Sequence, residues 1–178
     1  NLVAYYRLNN GALTTDSKST NTLTNYNSVT ETTGKFYGAA STGNTNTDKY
    51  LSVLSDFGIN GGNCSVSLWY KSNIDDISSL TYQALFSLSD ATSKVRFSIN
   101  YFNDSGTKKI AFYRTRSAVA DDGFSVTLNM GVSNFYHLVL TYDGTNVRGY
   151  VNGNLVGSPT AASGNGNAAL VDKFNIFT

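Results

Sequence analysis

The segment FYHLVLTYDGTNVRGYVNGNLVGS, residues 135–158, decides the fold that the sequence predicts. Side chains of a β-strand alternate between two faces, so apolar residues at every second position indicate a face turned toward a core. Two such runs flank Asp143-Gly144, and Asn152-Gly153 follows the second; both pairs favour tight turns. The segment therefore predicts an antiparallel hairpin with one buried face. The residues predicted on that face are Tyr136, Leu138, Leu140, Tyr142, Val147, Gly149 and Val151.

Short runs of the same kind recur along the rest of the chain, whereas no stretch keeps helical periodicity over three turns. We therefore expect one all-β domain over residues 1–178, built as a two-sheet antiparallel β-sandwich, with a barrel as the alternative. The polar stretch 14–33 predicts a long rim loop, although a low-complexity insert would look the same. The strands predicted outside the hairpin are 2–8, 50–54, 65–71, 84–88, 95–101, 109–114, 124–128 and 173–177.

The composition excludes several classes of protein. Of 178 residues 40% are hydrophobic, enough for one core, but only 14% are charged, against about 25% in average globular proteins. A formal net charge of +1 without a basic block argues against nucleic acid as a partner. The apolar runs are far shorter than the ~20 residues that span a bilayer, so no membrane insertion is expected. Cys64 is the only cysteine, which excludes an internal disulfide.

Five further segments precede the hairpin: LVAYYRLNNG, DSKSTN, GKFYGAA, DKYLSV and SVSLWYKS, within residues 2–72. Together with the hairpin they resemble the laminin-G-like, concanavalin A-like lectin-glucanase jelly-roll family from residue 2 to about residue 158. The resemblance implies a jelly-roll sandwich. Members of the family usually continue past the strand at 173–177 into a further strand that pairs with the first. Because the sequence stops at Thr178, we expect that strand to lie beyond it, the alternative being that another chain supplies it.

Carboxylates and histidines are too few for a hydrolytic site. Hydrolases of the resembling fold use two glutamates about 5 Å apart, and Glu31 is the only glutamate here. The aspartates at 75–76 and 121–122 are adjacent, and neighbours on a strand point to opposite faces. His137, the only histidine, is implied to be a structural strand residue, and no Gly-x-Ser-x-Gly motif occurs. We therefore predict that the chain is not an enzyme, with polysaccharide cleavage as the alternative.

The resemblance also implies a calcium site. Related jelly rolls often hold one Ca²⁺ at the rim of the sandwich through carboxylate, amide and backbone oxygens. Asp16 and Asn21, in DSKSTN, occupy the matching loop, and Asp48 precedes the strand at 50–54. The alternative is that Asp16 and Asp48 only cap turns.

Alternation assigns Trp69 to an outer face of the sandwich. In the segment 65–71 the apolar positions predict that Trp69 points away from the core with Ser67 and Lys71. A flat aromatic ring among hydroxyl and cationic groups suits a sugar ring, which makes Trp69 the first candidate for ligand binding. The alternative is that Trp69 packs beneath a long loop.

Four more polar residues are candidates for ligand binding. In the segment 95–101 alternation sends Arg96 and Asn100 to the face opposite the apolar residues. Arg114 and Arg116 are two positions apart, so they are predicted to share a face and to contact an acidic glycan or a neighbouring subunit. The alternative is that both arginines are solvent-exposed charges.

The leading functional prediction is a non-catalytic recognition module, similar to laminin-G-like lectin domains, that binds glycans or other cell-surface polymers. The alternative is a structural or decorating component of an extracellular assembly such as a virion, tail fibre or surface layer, in contact with other subunits. Both hypotheses predict a location outside the cell or on a cell or virion surface. The fold by itself does not decide between them.

Overall fold

The chain forms thirteen β-strands in the part that a computed structural model describes, namely residues 1–9, 11–43, 48–55, 57–59, 63–73, 83–90, 95–115, 121–161 and 171–177. In these ranges we find no helix of the length and apolar character that crossing a membrane requires. The strands are β1 Thr24–Tyr26, β2 Thr30–Thr33, β3 Gly38–Ser41, β4 Tyr50–Val53, β5 Cys64–Tyr70, β6 Gln83–Asp90, β7 Val95–Asp104, β8 Thr107–Thr115, β9 Asp121–Thr127, β10 Tyr136–Tyr142, β11 Asn146–Val151, β12 Asn154–Ala161 and β13 Val171–Ile176.

Two antiparallel sheets contain most of these strands. The larger has seven strands in the order β1-β4-β13-β6-β7-β8-β9, and the smaller has four in the order β12-β11-β10-β5. Strands β2 and β3 form a separate two-stranded hairpin. The predicted all-β, two-sheet antiparallel sandwich is confirmed. The barrel alternative is wrong, because in the described structure each sheet ends in edge strands and does not close on itself.

The segment 135–158 folds as its alternation predicts. Strands β10 and β11 pair so that Leu138 is opposite Val151 and Leu140 is opposite Gly149, and all four residues are buried. The turn that follows is tight, since Asn152 and Gly153 have φ angles of 51° and 83°. This hairpin fixes the register of the four-stranded sheet.

The core lies between the two sheets. Phe112 of β8 packs directly under Gly149 of β11, where an added Cβ atom would come within 2.5 Å of the phenyl ring. The smallest residue is therefore needed at position 149 for the sheets to approach. The fully buried large side chains include Leu51, Leu85, Ile99, Tyr101, Ile110, Phe112, Met130, Leu138, Leu140 and Val147.

The prediction of a strand at residues 2–8 is wrong, because this segment forms no strand in the structure. Only an isolated bridge between Tyr6 and Asp16 joins this segment to other backbone. The expected alternation is present, because Tyr6 and Leu8 pack on the core while Val3 and Tyr5 are 45% and 53% exposed. A strand also needs a partner, however, and none of the described strands lies beside this segment.

Four short or exposed strands were not predicted. Strands β1 and β2 lie in the stretch 14–33 that was expected to be a loop, and every residue in them is exposed. Without a buried face a strand shows no apolar alternation. Strand β3 is short, and β12 is an edge strand that tolerates Pro159 because one side of it needs no backbone donors.

Candidate functional site

Trp69 lies on the outer face of the four-stranded sheet, as predicted from alternation. Its indole is 42% exposed, whereas Tyr70, the next residue of β5, is buried. The register places Trp69 opposite His137 on β10, and the two rings stack with centroids 4.9 Å apart and planes 23° apart. One face of the indole is therefore packed against the ring of its cross-strand neighbour.

The tip of the β2–β3 hairpin reaches the same indole. Phe36 meets Trp69 edge-on at 5.6 Å between ring centroids, and the Lys35 Nζ atom lies 5.2 Å from the Trp69 ring. The hairpin is closed by a bond in which the Gly34 N–H donates to the Tyr37 carbonyl. A side chain at position 34 would collide with the backbone of Gly38, so this tight turn requires a glycine.

A cleft of about 170 Å³ lies between this hairpin and β5, and we call it the hairpin cleft. Hydroxyl and amide side chains form most of its walls around Trp69. The Tyr70 hydroxyl donates to Gln83 Oε1 at 3.0 Å, and the Asn73 amide donates to Ser41 Oγ at 3.4 Å. The described lining residues are Thr32, Thr33, Ala39, Ala40, Ser41, Thr42, Gly43, Trp69, Tyr70, Lys71, Ser72, Asn73, Gln83, Phe135 and Phe177.

The polar groups of the hairpin cleft are suited to hydrogen bonding rather than to proton transfer. Burial raises the pKa of Tyr70 to about 12, so its hydroxyl keeps its proton near neutral pH. None of the described lining residues is an aspartate or a glutamate. The cleft can therefore donate and accept hydrogen bonds beside an aromatic ring, but its described residues offer no carboxylate for acid–base chemistry.

His137 makes one further contact, with Ser67. The His137 Nε2 atom and the Ser67 Oγ atom are 2.8 Å apart on the outer face of the sheet. A serine nucleophile also needs its histidine oriented by a third group, and no described carboxylate hydrogen-bonds to the other ring nitrogen. The pair is a cross-strand hydrogen bond that helps to fix the imidazole under the indole.

The outer face of the seven-stranded sheet is different. Ser52, Asn175, Ser87 and Ser98 are paired in succession across β4, β13, β6 and β7, and we call these four residues the serine row. Although the row points away from the core, each of its members is buried. Asn175 donates its amide to Ser87 Oγ at 3.2 Å. Its polar groups thus mainly contact one another.

An aromatic pair lies at the edge of this second face. Tyr26 and Tyr50 stack with ring centroids 4.5 Å apart, and the Lys173 Nζ atom lies 5.5 Å from the Tyr50 ring. Tyr26 is 40% exposed, close to the exposure of Trp69. The two outer faces therefore each offer one half-exposed aromatic residue to solvent.

The structure separates the residues predicted to bind a ligand. Asn100 belongs to the outer face of the seven-stranded sheet, where its amide donates to Ser98 Oγ at 2.9 Å, so it does not share a surface with Trp69. Arg96 lies on the same strand as Asn100, but its side chain is outside the described part, and Arg116 lies wholly outside it.

The prediction that Arg114 is exposed to a ligand is wrong. Arg114 is opposite Phe97 in the sheet and therefore points into the sandwich, where it is only 5% exposed. Its guanidinium lies 4.0 Å from the Tyr142 ring and 3.7 Å from a carboxylate oxygen of Asp122. The alternative of a solvent-exposed charge is contradicted by the same burial. Alternation with Ile110 and Phe112 directs Arg114 inward, but an arginine is rarely buried unless it is paired, so its charge favoured a position on the surface.

The proposed calcium ligands occupy two places. The Asp16 carboxylate accepts hydrogen bonds from the Tyr5 and Lys18 N–H groups, from Ser19 Oγ and, at 3.4 Å, from the Asn21 amide. Burial opposes ionisation of Asp16, but these hydrogen bonds outweigh it and lower the pKa to about 2.

Asp48, the third proposed ligand, is exposed, and its carbonyl accepts a hydrogen bond from Asn27. These contacts fit the alternative in which Asp16 organises its own turn. The described residues contain no group of three histidine, cysteine or acidic side chains around a common point. Calcium binding therefore stays a prediction.

Lys35 and Phe36 were missed from the sequence. They lie in a hairpin whose strands have no apolar alternation, so nothing in the pattern indicated that its tip would fold back onto Trp69. The one available signal was local: two bulky residues, Phe36 and Tyr37, lie between Gly34 and Gly38 in an otherwise polar stretch.

The family expected from the sequence is confirmed. The model of the concanavalin A-like lectin/glucanases superfamily matches residues 42–175. No curated protein matches the chain in sequence.

Several solved structures share the fold. Domain 4 of AbnA, an extracellular GH43 arabinanase from Geobacillus stearothermophilus in complex with arabinotriose, has a TM-score of 0.67 at 16% identity over 98% of this chain and 82% of its own. The CBM2 module of the evolved Dit of Lactobacillus casei BL23 phage J-1 has a TM-score of 0.56 at 18% identity, over 90% of this chain and 83% of its own. The binding domain of botulinum neurotoxin DC in complex with SialylT has a TM-score of 0.55 at 13% identity, over 90% of this chain and 39% of that one. At these identities the likeness concerns the fold alone.

Proposed function

Because the chain belongs to the concanavalin A-like lectin/glucanases superfamily, we propose that it is a non-catalytic recognition module that binds glycans in the hairpin cleft. It acts outside the cell, on the surface where such polymers are found.

The proposal rests on the residues that surround the half-exposed indole of Trp69. A sugar ring has an apolar face and a rim of hydroxyl groups, so its binding site needs an aromatic platform bordered by donors and acceptors. The hairpin cleft provides both, because the half-exposed indole lies beside Thr33, Ser41, Asn73 and Gln83. Tyr26 has comparable exposure on the other face, but its neighbouring serine row is buried.

The relatives of known structure support this role. The AbnA domain is described in complex with arabinotriose, so a domain of this fold carries a sugar chain in at least one other protein. The AbnA protein is also described as extracellular, which supports the proposed location.

The described lining of the hairpin cleft contains no carboxylate, which supports a non-catalytic role. Glu31, the only glutamate, lies on β2 and accepts a hydrogen bond from the Gly11 N–H at 2.8 Å. A retaining hydrolase needs two carboxyl groups about 5 Å apart across the scissile bond. Assays for new reducing ends with the purified chain and polysaccharides are therefore expected to show no turnover.

Glycan binding can be tested by pairing two aromatic substitutions. We expect the chain to bind oligosaccharides on a glycan array, and Trp69→Ala to weaken binding of the best ligand by about 30-fold in calorimetry, as expected for a central aromatic contact. Tyr26→Ala is the matched control, because Tyr26 is similarly exposed on the opposite outer face.

Two results would contradict the proposal. Equal losses for both variants would show that the hairpin cleft is not the site. Silence across arrays together with stable oligomers in solution would favour the structural role in an extracellular assembly.

A further inference from the structure

Within this glycan-binding role, on which the inference rests, we propose that the hairpin cleft selects acidic glycans, whose sugars carry a carboxylate or a sulfate.

Two ammonium groups lie at the cleft beside Trp69. Lys35 comes from the hairpin tip, with its Nζ atom 5.2 Å from the Trp69 ring. Lys71 follows β5 and lines the cleft, with its Nζ atom 5.5 Å from the Phe135 ring. Both residues are exposed, so each charge is localised over a ring yet remains accessible to a ligand.

The described walls of the cleft contain nothing that neutralises these charges. Every described lining residue is neutral except Lys71. Glu31 lies on the adjoining strand β2, but it accepts a hydrogen bond from the Gly11 N–H and forms no ion pair with Lys35 or Lys71. The formal net charge of the whole chain is only +1, so the chain as a whole adds little long-range attraction for an anion.

The position of Lys35 makes the charge relevant to the sugar that contacts the indole. The Trp69 ring already stacks on His137 and has Lys35 above it, so a sugar ring that reaches the indole also meets the ammonium group. Any sugar that stacks on the indole must displace Lys35 from it. A neutral sugar offers the ammonium group only hydroxyl oxygens, whereas an acidic sugar adds an ion pair to the hydrogen bond.

The experiment compares matched acidic and neutral ligands. Calorimetry at 50 mM salt would use a galacturonate tetrasaccharide and its methyl ester, a sulfated galactan tetrasaccharide and its desulfated form, and sialyllactose and lactose. We expect at least one acidic member to bind about tenfold or more tightly than its neutral partner, and that difference to shrink at 300 mM salt because exposed charges are screened.

Substitutions assign the selectivity to the cleft. In the double variant Lys35→Gln/Lys71→Gln the affinity ratio of the acidic ligand to its neutral partner is expected to fall about tenfold. Lys173→Gln is the matched control, since Lys173 also lies over an aromatic ring, that of Tyr50, but on the other outer face. Thermal melting of all variants checks that each is folded.

The outcomes separate the two proposals. If a neutral ligand binds as tightly as its acidic partner and needs Trp69, the acidic preference is wrong and glycan recognition at the cleft stands. If Lys173→Gln lowers acidic binding as much as the double variant does, the preference does not arise at the cleft. If no member of any pair binds, the acidic preference is overturned, and an array on which Trp69→Ala changes no signal overturns glycan recognition at the cleft as well.

Discussion

The two outer faces of the sandwich have similar secondary structure but differ in what they present to solvent. On the four-stranded sheet Trp69 is 42% exposed, and Phe36 of the β2–β3 hairpin, which packs against it, is 62% exposed. On the seven-stranded sheet the serine row holds small hydroxyl residues, and Ser87 and Ser98 are 2% and 1% exposed. A row of polar residues therefore does not by itself identify a binding surface.

The largest expected effect concerns Arg114, whose charged side chain points into the core and so lies on neither outer face. Arg114→Met should lower the free energy of unfolding by about 3 kcal/mol, because it removes the guanidinium that lies 3.7 Å from the buried Asp122 carboxylate. The double variant Arg114→Met/Asp122→Leu should recover part of that loss. Urea denaturation measures both. If the Arg114→Met protein is stable but binds glycans poorly, Arg114 contacts the ligand at the surface and its assignment to the core is wrong.

The next effect concerns the rim between the faces, where Asp16 holds the first segment of the chain. The pKa of Asp16 is about 2 in the folded protein, below the ~3.9 of an unfolded aspartate. Its contribution is therefore fully present above about pH 4 and is lost as the pH falls through 2. Asp16→Asn should cost roughly 1–2 kcal/mol at pH 6 and little near pH 2. Unfolding free energies across that range, with exposed Asp48→Asn as control, provide the measurement.

A third variant separates structure from recognition. Asn175→Ala removes an amide that bonds within the serine row and should cost about 1 kcal/mol of stability without changing glycan affinity. Trp69→Ala should do the reverse, weakening binding with little loss of stability. Parallel melting and calorimetry on the two proteins test the contrast. Weaker binding in Asn175→Ala would mean that the buried row becomes accessible to ligands.

The smallest effect belongs to calcium at the rim. If Asp16 and Asn21 hold the ion, 5 mM CaCl₂ should raise the melting temperature by a few degrees over 5 mM EDTA, since a ligand of the native state stabilises it. Asp16→Asn should abolish the difference. Identical melting curves for the wild-type protein would leave Asp16 as a turn residue alone.

The sequence predicts those parts of the fold in which alternation and burial coincide. The β10–β11 hairpin and the outward direction of Trp69 follow from period-two patterns, and both are confirmed. The hairpin of β2 and β3 could not be predicted, because strands exposed on every residue carry no such pattern. The site depends on that hairpin, so the sequence indicated the aromatic platform but neither the cleft beside it nor the lysine above it.

The β2–β3 hairpin pairs with neither sheet, so changes in it can alter ligand selectivity without changing the strand pairing of the sandwich. Its two strands share no ladder with either sheet, and yet residues of both strands, among them Thr33 and Ser41, line the cleft. Residues 30–41 can therefore be exchanged for hairpins of other lengths and charges while the sandwich keeps its register. A library built on this one insertion would vary the preferred ligand on a constant scaffold.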